Sequence, residues 1–309
     1  LACATGAVAI TYYVDDNSND GDVYTPGFTG NDSNSGTTNT APKLTLNNLL
    51  ATYTLSPGDV VLIDTGIYTN NVMIGTNVNG TAINRIVFQG SQDTRPWGGG
   101  TVFTGGGDLI DVRGNYLLFQ DLRTIGAGSG FNLTGASFNE FERIYSISNS
   151  SHALKSSGAS NSNVFRRCVF HSTSVAAHGM YAPARNNYIE FCIAISDNSV
   201  GIGGQAGVLS NVFSCIIIGK TGIAPPEGSA GSRNIISITD KIHPSIETLS
   251  DFVLVYTNWH HNTVADPKFV NADGFDFHLL SAAGFVSNGV WVTNPAVGYS
   301  PAIDFGARE

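Results

Sequence analysis

Short apolar runs recur along the middle of the chain at a fixed interval. Five of these segments begin with an asparagine and continue with alternating apolar and polar residues. Each asparagine lies 24 residues after the one before it; they are Asn115, Asn139, Asn163, Asn187 and Asn211. A fixed period in the range of about 20–50 residues indicates a repeat architecture. Because the repeats carry strand patterns and turn residues but no helical periodicity, we predict an all-β fold, a parallel β-helix with one coil per repeat.

Equivalent residues of successive coils form ladders, because they lie about 4.8 Å apart in such a stack. The asparagine amides are predicted to bond to one another and to the turn backbone. Two residues after each asparagine an apolar ladder follows: Leu117, Phe141, Phe165, Ile189 and Phe213. A second ladder consists of Ile144, Cys168, Cys192 and Cys215. The apolar ladder and the second ladder are separated by an odd number of residues. In a straight strand such residues point to opposite faces, so the chain must bend between them if both ladders face the interior. Parallel side chains rarely give disulfide torsions, so we expect free, buried thiols.

A ladder of alternating charge lies three residues after the asparagines and is formed by Glu142, Arg166 and Glu190. Opposite charges on neighbouring strands contribute about 0.2–1 kcal/mol per pair. We favour the interpretation that these are surface pairs that fix the register. A role of the arginine in ligand binding stays open as the alternative.

The two ends of the stack need covering, because an exposed β-helix end is an open strand edge. Residues 41–55 are the best helix candidate and are predicted to cap the first coil; the leucines that this helix would bury are Leu44, Leu46, Leu49 and Leu50. We divide the chain into an N-terminal segment and cap (1–56), the β-helix (57–240) and C-terminal coils with a second cap (241–309). The apolar stretch 7–14 would pair within its own chain or with a neighbouring copy, so self-association through this strand or through the ends of the stack is an open possibility.

Composition restricts the function further. The chain of 309 residues has a formal net charge of −9, and only 13% of its residues are charged. Low charge with abundant glycine and small polar residues favours a secreted or cell-surface protein. No apolar run reaches the roughly 18 residues that a membrane span requires. No basic stripe indicates a nucleic-acid partner.

Several motifs near the ends resemble those of a known superfamily. They are "YYVD" (12–15), "GNDSNSGT" (30–37), "PGDVV" (57–61) with "GIY" (66–68), and "DPKFVNADGFDFHLL" (266–280) with "SPAIDFG" (300–306). These motifs resemble those of secreted right-handed parallel β-helix proteins of the pectin-lyase-like superfamily, and especially those of surface proteins of Bacteroidota. The resemblance implies a right-handed β-helix with an N-terminal capping helix. It leaves activity open, since the superfamily includes lyases, hydrolases, epimerases and non-catalytic adhesins.

The resemblance implies where chemistry would occur if the protein is a lyase. Such an enzyme neutralises a uronate carboxylate, removes the adjacent proton and protonates the leaving oxygen, usually with Lys, Arg, His or Tyr. The segments "SHALKSSG" (151–158) and "AHGMYAPAR" (177–185) occupy the same part of successive coils and place such residues together. The candidate catalytic residues are Lys155, His178, Tyr181 and Arg185. The candidate substrate-binding residues are His152, Arg166 and Arg167.

An acidic segment near the N-terminus has the alternation of a calcium loop. In "DNSNDGD" (16–22), the candidate ligands for a structural Ca²⁺ are Asp16, Asp20 and Asp22. Gly27 replaces the glutamate that such loops carry at the twelfth position, so a polar turn is the alternative. We predict no other cofactor.

Two functional hypotheses follow from these patterns. In the first, the protein is a polysaccharide lyase that cleaves an acidic polymer by β-elimination. In the second, it is a non-catalytic structural, adhesive or filament-forming surface protein that uses the rigid stack as a spacer. Basic residues that converge on one surface favour the first hypothesis, whereas evenly solvated polar residues favour the second.

Overall fold

A computed structural model describes the chain at residues 8–92, 100–126, 128–148, 150–157, 160–181 and 186–203. From residue 210 onward it describes the strands given below and a few side chains up to residue 219. The fold is a right-handed parallel β-helix, as the sequence predicted. Among these residues, no helix is long and apolar enough to cross a lipid bilayer.

Parallel strands stack on three faces of the helix. The first face is one sheet with the following strands: β1 (Thr11–Val14), β2 (Val60–Ile63), β5 (Ile86–Gly90), β8 (Leu117–Gln120), β11 (Glu140–Glu142), β14 (Val164–Arg166), β17 (Asn187–Glu190), β19 (Ser210–Phe213), β21 (Ala230–Ser232) and β23 (Trp259–His260). The second face contains β3 (Gly66–Tyr68), β6 (Thr101–Gly105), β9 (Leu122–Gly126), β12 (Tyr145–Ser148), β15 (Val169–Ser172), β18 (Ile193–Gly203), β20 (Ile216–Ala224), β22 (Ile235–Lys241) and β24 (Thr263–Val264).

The third face contains β4 (Val72–Ile74), β7 (Ile110–Val112), β10 (Phe131–Thr134), β13 (Leu154–Ser157) and β16 (Met180–Tyr181). The long strand β18 begins on the second face and ends on the third, where Met180 of β16 lies opposite Ile202. Two antiparallel hairpins follow towards the C-terminus: β25 (Phe269–Asn271) with β26 (Asp276–Leu279), and β27 (Phe285–Ser287) with β28 (Val290–Val292).

The bend that the sequence required lies between the first and second faces. One residue of each coil adopts the left-handed conformation there; the residues, with φ of 53–55°, are Asp121, Arg143, Arg167 and Phe191. This conformation costs a non-glycine residue about 1 kcal/mol or more. It turns the chain so that the strand before it and the residue after it both face the interior. Ile144 and the three cysteines of this ladder, Cys168, Cys192 and Cys215, are therefore buried on the inner side of the bend, and these three are free thiols.

The asparagine ladder exists in the central coils. Asn139, Asn163 and Asn187 are fully buried. The backbone N–H of Asn139 donates to Asn163 Oδ1 at 3.0 Å, and that of Asn163 donates to Asn187 Oδ1 at 3.0 Å. The amide nitrogen of Asn163 donates in turn to the carbonyl of Ala136 at 3.0 Å. The ladder thus satisfies polar backbone groups where strand pairing is interrupted.

The ladder prediction is wrong at both ends. Asn211 lies opposite Tyr188 and not opposite Asn187, and Asn115 bonds to Asn79 of the preceding coil. The reason is coil length. Equivalent positions are 24 residues apart in the central coils, but 22 apart between Leu117 and Asn139 and 23 apart between Tyr188 and Asn211.

The same shift changes the aromatic ladder. Its members in register are Phe88, Phe119, Phe141, Phe165, Ile189 and Val212, so that Phe119 replaces Leu117 and Val212 replaces Phe213. The ring of Phe141 stacks at 4.9 Å on the rings of both Phe119 and Phe165. This continuous aromatic stack forms the centre of the core.

A helix caps the N-terminal end, as predicted, but it is only seven residues long, shorter than the predicted 41–55. Helix α1 (Leu46–Thr52) begins after Thr45, whose hydroxyl accepts the backbone N–H of Asn48 at 3.1 Å. Leu46 and Leu49 are buried, and Leu50 packs against the core from a half-buried position. The fourth leucine of the prediction, Leu44, is only half-buried and lies before the helix.

Strand β1 pairs with β2 of its own chain, with Val14 opposite Ile63. Its other edge is covered as well. The Tyr13 N–H donates to the Gly36 carbonyl at 2.8 Å, and the Tyr13 carbonyl accepts the Lys43 N–H at 2.9 Å. The intrachain alternative is therefore the one that the protein adopts for this strand.

Candidate functional site

Two histidines, a lysine and a tyrosine meet on the third face, and we call His152, Lys155, His178 and Tyr181 the histidine–tyrosine cluster. Lys155 of β13 lies opposite Tyr181 of β16 in the sheet register. The ring of Tyr181 stacks on that of His152, with centroids 4.8 Å apart and planes at 17°. The ring of His178 lies 5.1 Å from that of His152 and 5.4 Å from that of Tyr181. Four of the seven predicted site residues outside the acidic segment are thus brought together.

Hydrogen bonds and close packing fix both imidazoles. His152 Nδ1 accepts the backbone N–H of His178 at 2.9 Å, which leaves Nε2 to carry the proton of the neutral ring. His178 Nδ1 lies 3.2 Å from Ser199 Oγ. The ring of His178 covers Gly203 of the next coil so closely that a Cβ at this glycine would lie 2.5 Å from His178 Cδ2. Position 203 therefore has to be glycine for the ring to occupy this place.

The electrostatics of the cluster favour neutral imidazoles. Burial, together with the neighbouring His178 and Lys155, lowers the pKa of His152 to about 4. Burial also lowers the pKa of His178. Lys155 forms no ion pair with any residue that the structure describes. The surface thus offers one imidazole that can accept a proton, that of His178, together with one phenol and one uncompensated ammonium group.

Polar residues continue the cluster along the same face. Asp111 and Asn132 precede Lys155 in the same outward-facing row of the sheet. Asp108 accepts a hydrogen bond from the amide nitrogen of Asn132 at 3.0 Å. Neither Asn132 nor Asp108 was identified from the sequence. Asn132 lies 23 residues before Lys155, whereas the period of 24 would have placed Phe131 at this position.

The remaining predicted residues lie elsewhere. Arg185 falls outside the described residues. Arg166 lies on the first face, and Arg167 in the bend that follows it, so neither joins the cluster. Arg166 pairs with Glu190 at 3.1 Å, and Arg167 pairs with Glu142 at 2.9 Å. The pair of Arg166 and Glu190 is the cross-coil contact that the charge ladder predicted, whereas Glu142 binds Arg167 and Arg143 rather than Arg166.

The predicted calcium ligands do not come together as a set. Asp16 Oδ1 accepts Ser18 N–H at 2.7 Å and its Oδ2 accepts Ile67 N–H at 3.0 Å, while Asp20 is exposed. Only Asp22 joins an acidic cluster, and its partners there are Asp15 and Asp64, which the sequence analysis did not identify as ligands.

The electrostatics of this acidic cluster are unusual. Burial, reinforced by the neighbouring Asp22 and Asp64, raises the pKa of Asp15 to about 8. Burial and the charge of Asp64 raise the pKa of Asp22 to about 6. The carboxyl groups of Asp15 and Asp22 are thus held close to Asp64 at a place where burial disfavours their charged forms.

Comparisons with known proteins bear on the fold. The chain matches no protein-family model and no curated protein. Among solved structures, pectate lyase Pel9A superposes with a TM-score of 0.58 at 15% identity, over 97% of each chain. The pectin methylesterase from Aspergillus niger matches 73% of this chain and 78% of its own at 10% identity, with a TM-score of 0.49. A rhamnogalacturonan lyase matches 85% of this chain and 91% of its own at 15% identity, with a TM-score of 0.47.

The comparison with pectate lyase Pel9A and the three-faced stack define the class of protein. The chain is a right-handed parallel β-helix, the fold that the sequence resemblance implied. At 15% identity the likeness establishes the fold alone. The more specific resemblance to Bacteroidota surface proteins stays a prediction.

Proposed function

We propose that the protein binds an acidic polysaccharide along its third face and cleaves it by β-elimination at the histidine–tyrosine cluster. The observation that carries this proposal is the convergence of an unpaired ammonium group, neutral imidazoles and a phenol on adjacent coils of one face. Known β-helix proteins of similar fold include a pectate lyase, so the fold is compatible with this chemistry. A polymeric substrate of this kind fits the predicted extracellular location.

Each residue has a role in the proposed reaction. Lys155 binds the uronate carboxylate and stabilises the negative charge that develops on it when the adjacent carbon loses its proton. His178, with Nδ1–H donated to Ser199 Oγ, accepts that proton at Nε2 because its lowered pKa keeps it neutral. A carbon–carbon double bond forms as the bond to the leaving sugar oxygen breaks, and the Tyr181 hydroxyl protonates that oxygen. His152 positions Tyr181 by ring stacking.

The polymer is expected to extend along the outward-facing row that precedes Lys155. Asn132 lies one coil away from Lys155 in register, and its amide is oriented by Asp108. Amide and carboxylate groups can hydrogen-bond sugar hydroxyls. A chain lying across the coils would therefore contact Asn132 on one side of the cluster.

The experiment is an assay for the unsaturated uronate product, followed by its ultraviolet absorbance, with pectate, alginate and other uronate polymers. We expect the wild-type protein to act on at least one polymer and His178→Ala to lose most of the rate, since a general base contributes about 10²–10⁴-fold. Lys155→Ala should weaken substrate binding and also lower the rate, because Lys155 binds the carboxylate and stabilises the charge that develops on it. Arg85→Gln is the charge-matched control, because Arg85 lies on the first face and pairs with Glu140 at 2.8 Å.

The outcomes separate the two functional hypotheses. Loss of activity in the two cluster variants, with activity retained in Arg85→Gln, supports the lyase. Binding of a polymer without product refutes β-elimination and favours the non-catalytic surface protein. Equal loss of activity in all three variants would show that the cluster is not the site.

A further inference from the structure

Three separate segments bring the acidic cluster of Asp15, Asp22 and Asp64 together. Asp15 directly follows β1 and Asp64 directly follows β2, and these strands pair with Val14 opposite Ile63. The two aspartates are therefore equivalent positions of neighbouring strands. Asp22 comes from the loop between the two strands. One carboxylate oxygen of each residue lies within 4.8 Å of the others.

Asp64 is held in place by the backbone of this loop. Its Oδ1 accepts Val23 N–H at 2.7 Å, and its Oδ2 accepts Tyr24 N–H at 2.7 Å and Thr25 N–H at 2.6 Å. Both oxygens act only as acceptors, which requires the ionised carboxylate. A fixed negative charge therefore borders the space that the three residues share.

The oxygens of the other two residues lack partners. Asp15 is fully buried; its Oδ2 accepts the hydroxyl of Thr25 at 3.0 Å, but its Oδ1 has no hydrogen-bond partner. Both carboxylate oxygens of Asp22 are inaccessible to solvent and have no partner either. Within the described part of the chain, no lysine, arginine or histidine pairs with these carboxylates. Buried polar groups in proteins almost always have partners, so these three oxygens require a ligand.

We propose that Asp15, Asp22 and Asp64 form a binding site for a single Ca²⁺ ion. Asp15 and Asp22 provide the direct oxygen ligands, and Asp64 contributes its fixed charge. Calcium binds oxygen at about 2.3–2.6 Å, so two ligands on opposite sides of the ion are separated by about 4.6–5.2 Å, which the observed cluster fits. Its flexible coordination also suits irregular geometry better than the strict octahedron of Mg²⁺.

The ion would connect the N-terminal cap to the first coil. Its ligands come from the end of β1 and from the loop, and Thr25 Oγ1 links Asp15 and Asp64 at 3.0 and 2.8 Å. Binding would therefore hold the strand edge and the loop against β2. This role is independent of the proposed lyase activity, because the ligands lie on segments before the second coil and none of them belongs to the histidine–tyrosine cluster.

The test is the thermal unfolding midpoint of the protein in Ca²⁺ and in EGTA, combined with calorimetric titration of Ca²⁺. We expect Ca²⁺ to raise the midpoint of the wild-type protein and to bind at one site with a dissociation constant of about 1 mM or tighter. Asp22→Asn should bind at least about tenfold more weakly, because it removes one charged ligand. Asp20→Asn is the matched control: it removes the same charge from an exposed neighbour outside the cluster and should behave as the wild type.

The result that overturns the proposal is the absence of saturable Ca²⁺ binding to the wild-type protein. A calcium-dependent shift of equal size in Asp22→Asn and wild type would overturn it as well. Equal stabilisation by Mg²⁺ at the same concentration would refute the assignment to calcium. If Asp22→Asn fails to fold, the titration of the wild-type protein still decides the question.

Discussion

The substitution Asn163→Ala truncates the central asparagine of the ladder. It should destabilise the protein far more than the small size of the removed side chain suggests. Asn163 is fully buried, and its amide bonds to the N–H of Asn139 and to the carbonyl of Ala136, both at 3.0 Å. Alanine removes both bonds and leaves one buried donor and one buried acceptor without partners. Each such group costs about 1–3 kcal/mol, so the expected loss is about 2–6 kcal/mol. That is a large share of the roughly 5–15 kcal/mol of a typical domain.

The matched control is Asn211→Ala. Asn211 has the same spacing in the sequence, but it lies opposite Tyr188 and is only half-buried. Substitution away from buried bonds usually changes stability by about 0.5 kcal/mol or less. Urea unfolding followed by circular dichroism measures both variants. The account attributes the stability of the coils to the buried hydrogen bonds and not to the asparagine spacing. An equal loss of unfolding free energy in the two variants would refute it.

Three further predictions test other parts of the structure. Gly203→Ala should displace the ring of His178 and lower polysaccharide cleavage without a large loss of stability, whereas Gly106→Ala, where a Cβ meets nothing within 4 Å, should retain wild-type activity. Because the pKa of His152 is lowered from 6.5 to about 4, the unfolded state takes up the proton first as pH falls. Stability should therefore decrease from pH 6.5 towards 4, and His152→Asn should reduce that dependence in unfolding curves measured across this range. The three thiols of the cysteine ladder, which are fully buried, should react with a thiol reagent only after denaturation.

The first face of the central coils could be predicted from the sequence because its spacing is constant. Asn139, Asn163 and Asn187 follow one another at 24 residues and were placed correctly. Lys155 and Tyr181 are 26 residues apart, so aligning His152 with His178, and not the period, placed them side by side. Where a coil is shorter, the alignment fails: Leu117 lies opposite Asn139 rather than Phe141. A constant period cannot reveal such changes, since turns of different length can connect the same strands.

The acidic cluster shows a second limit of the sequence analysis. The pattern of a local calcium loop predicted Asp16, Asp20 and Asp22 as ligands, because the spacing of ligands in such loops is local. The structural cluster joins Asp22 to Asp64, which lies 42 residues further along the chain. A signal for part of it existed. In "YYVD" and "VLID" an aspartate directly follows each of two paired strands, and the ladder argument applied to β1 and β2 would have placed Asp15 beside Asp64.

The most direct test of the proposed site is a crystal structure of the protein with a bound uronate oligosaccharide. The account predicts that the sugar chain lies on the third face, with one carboxylate at ion-pair distance from Lys155 and the adjacent carbon facing His178. An oligosaccharide bound instead on the first face, at Arg166 and Arg167, would contradict the assignment of the histidine–tyrosine cluster as the site.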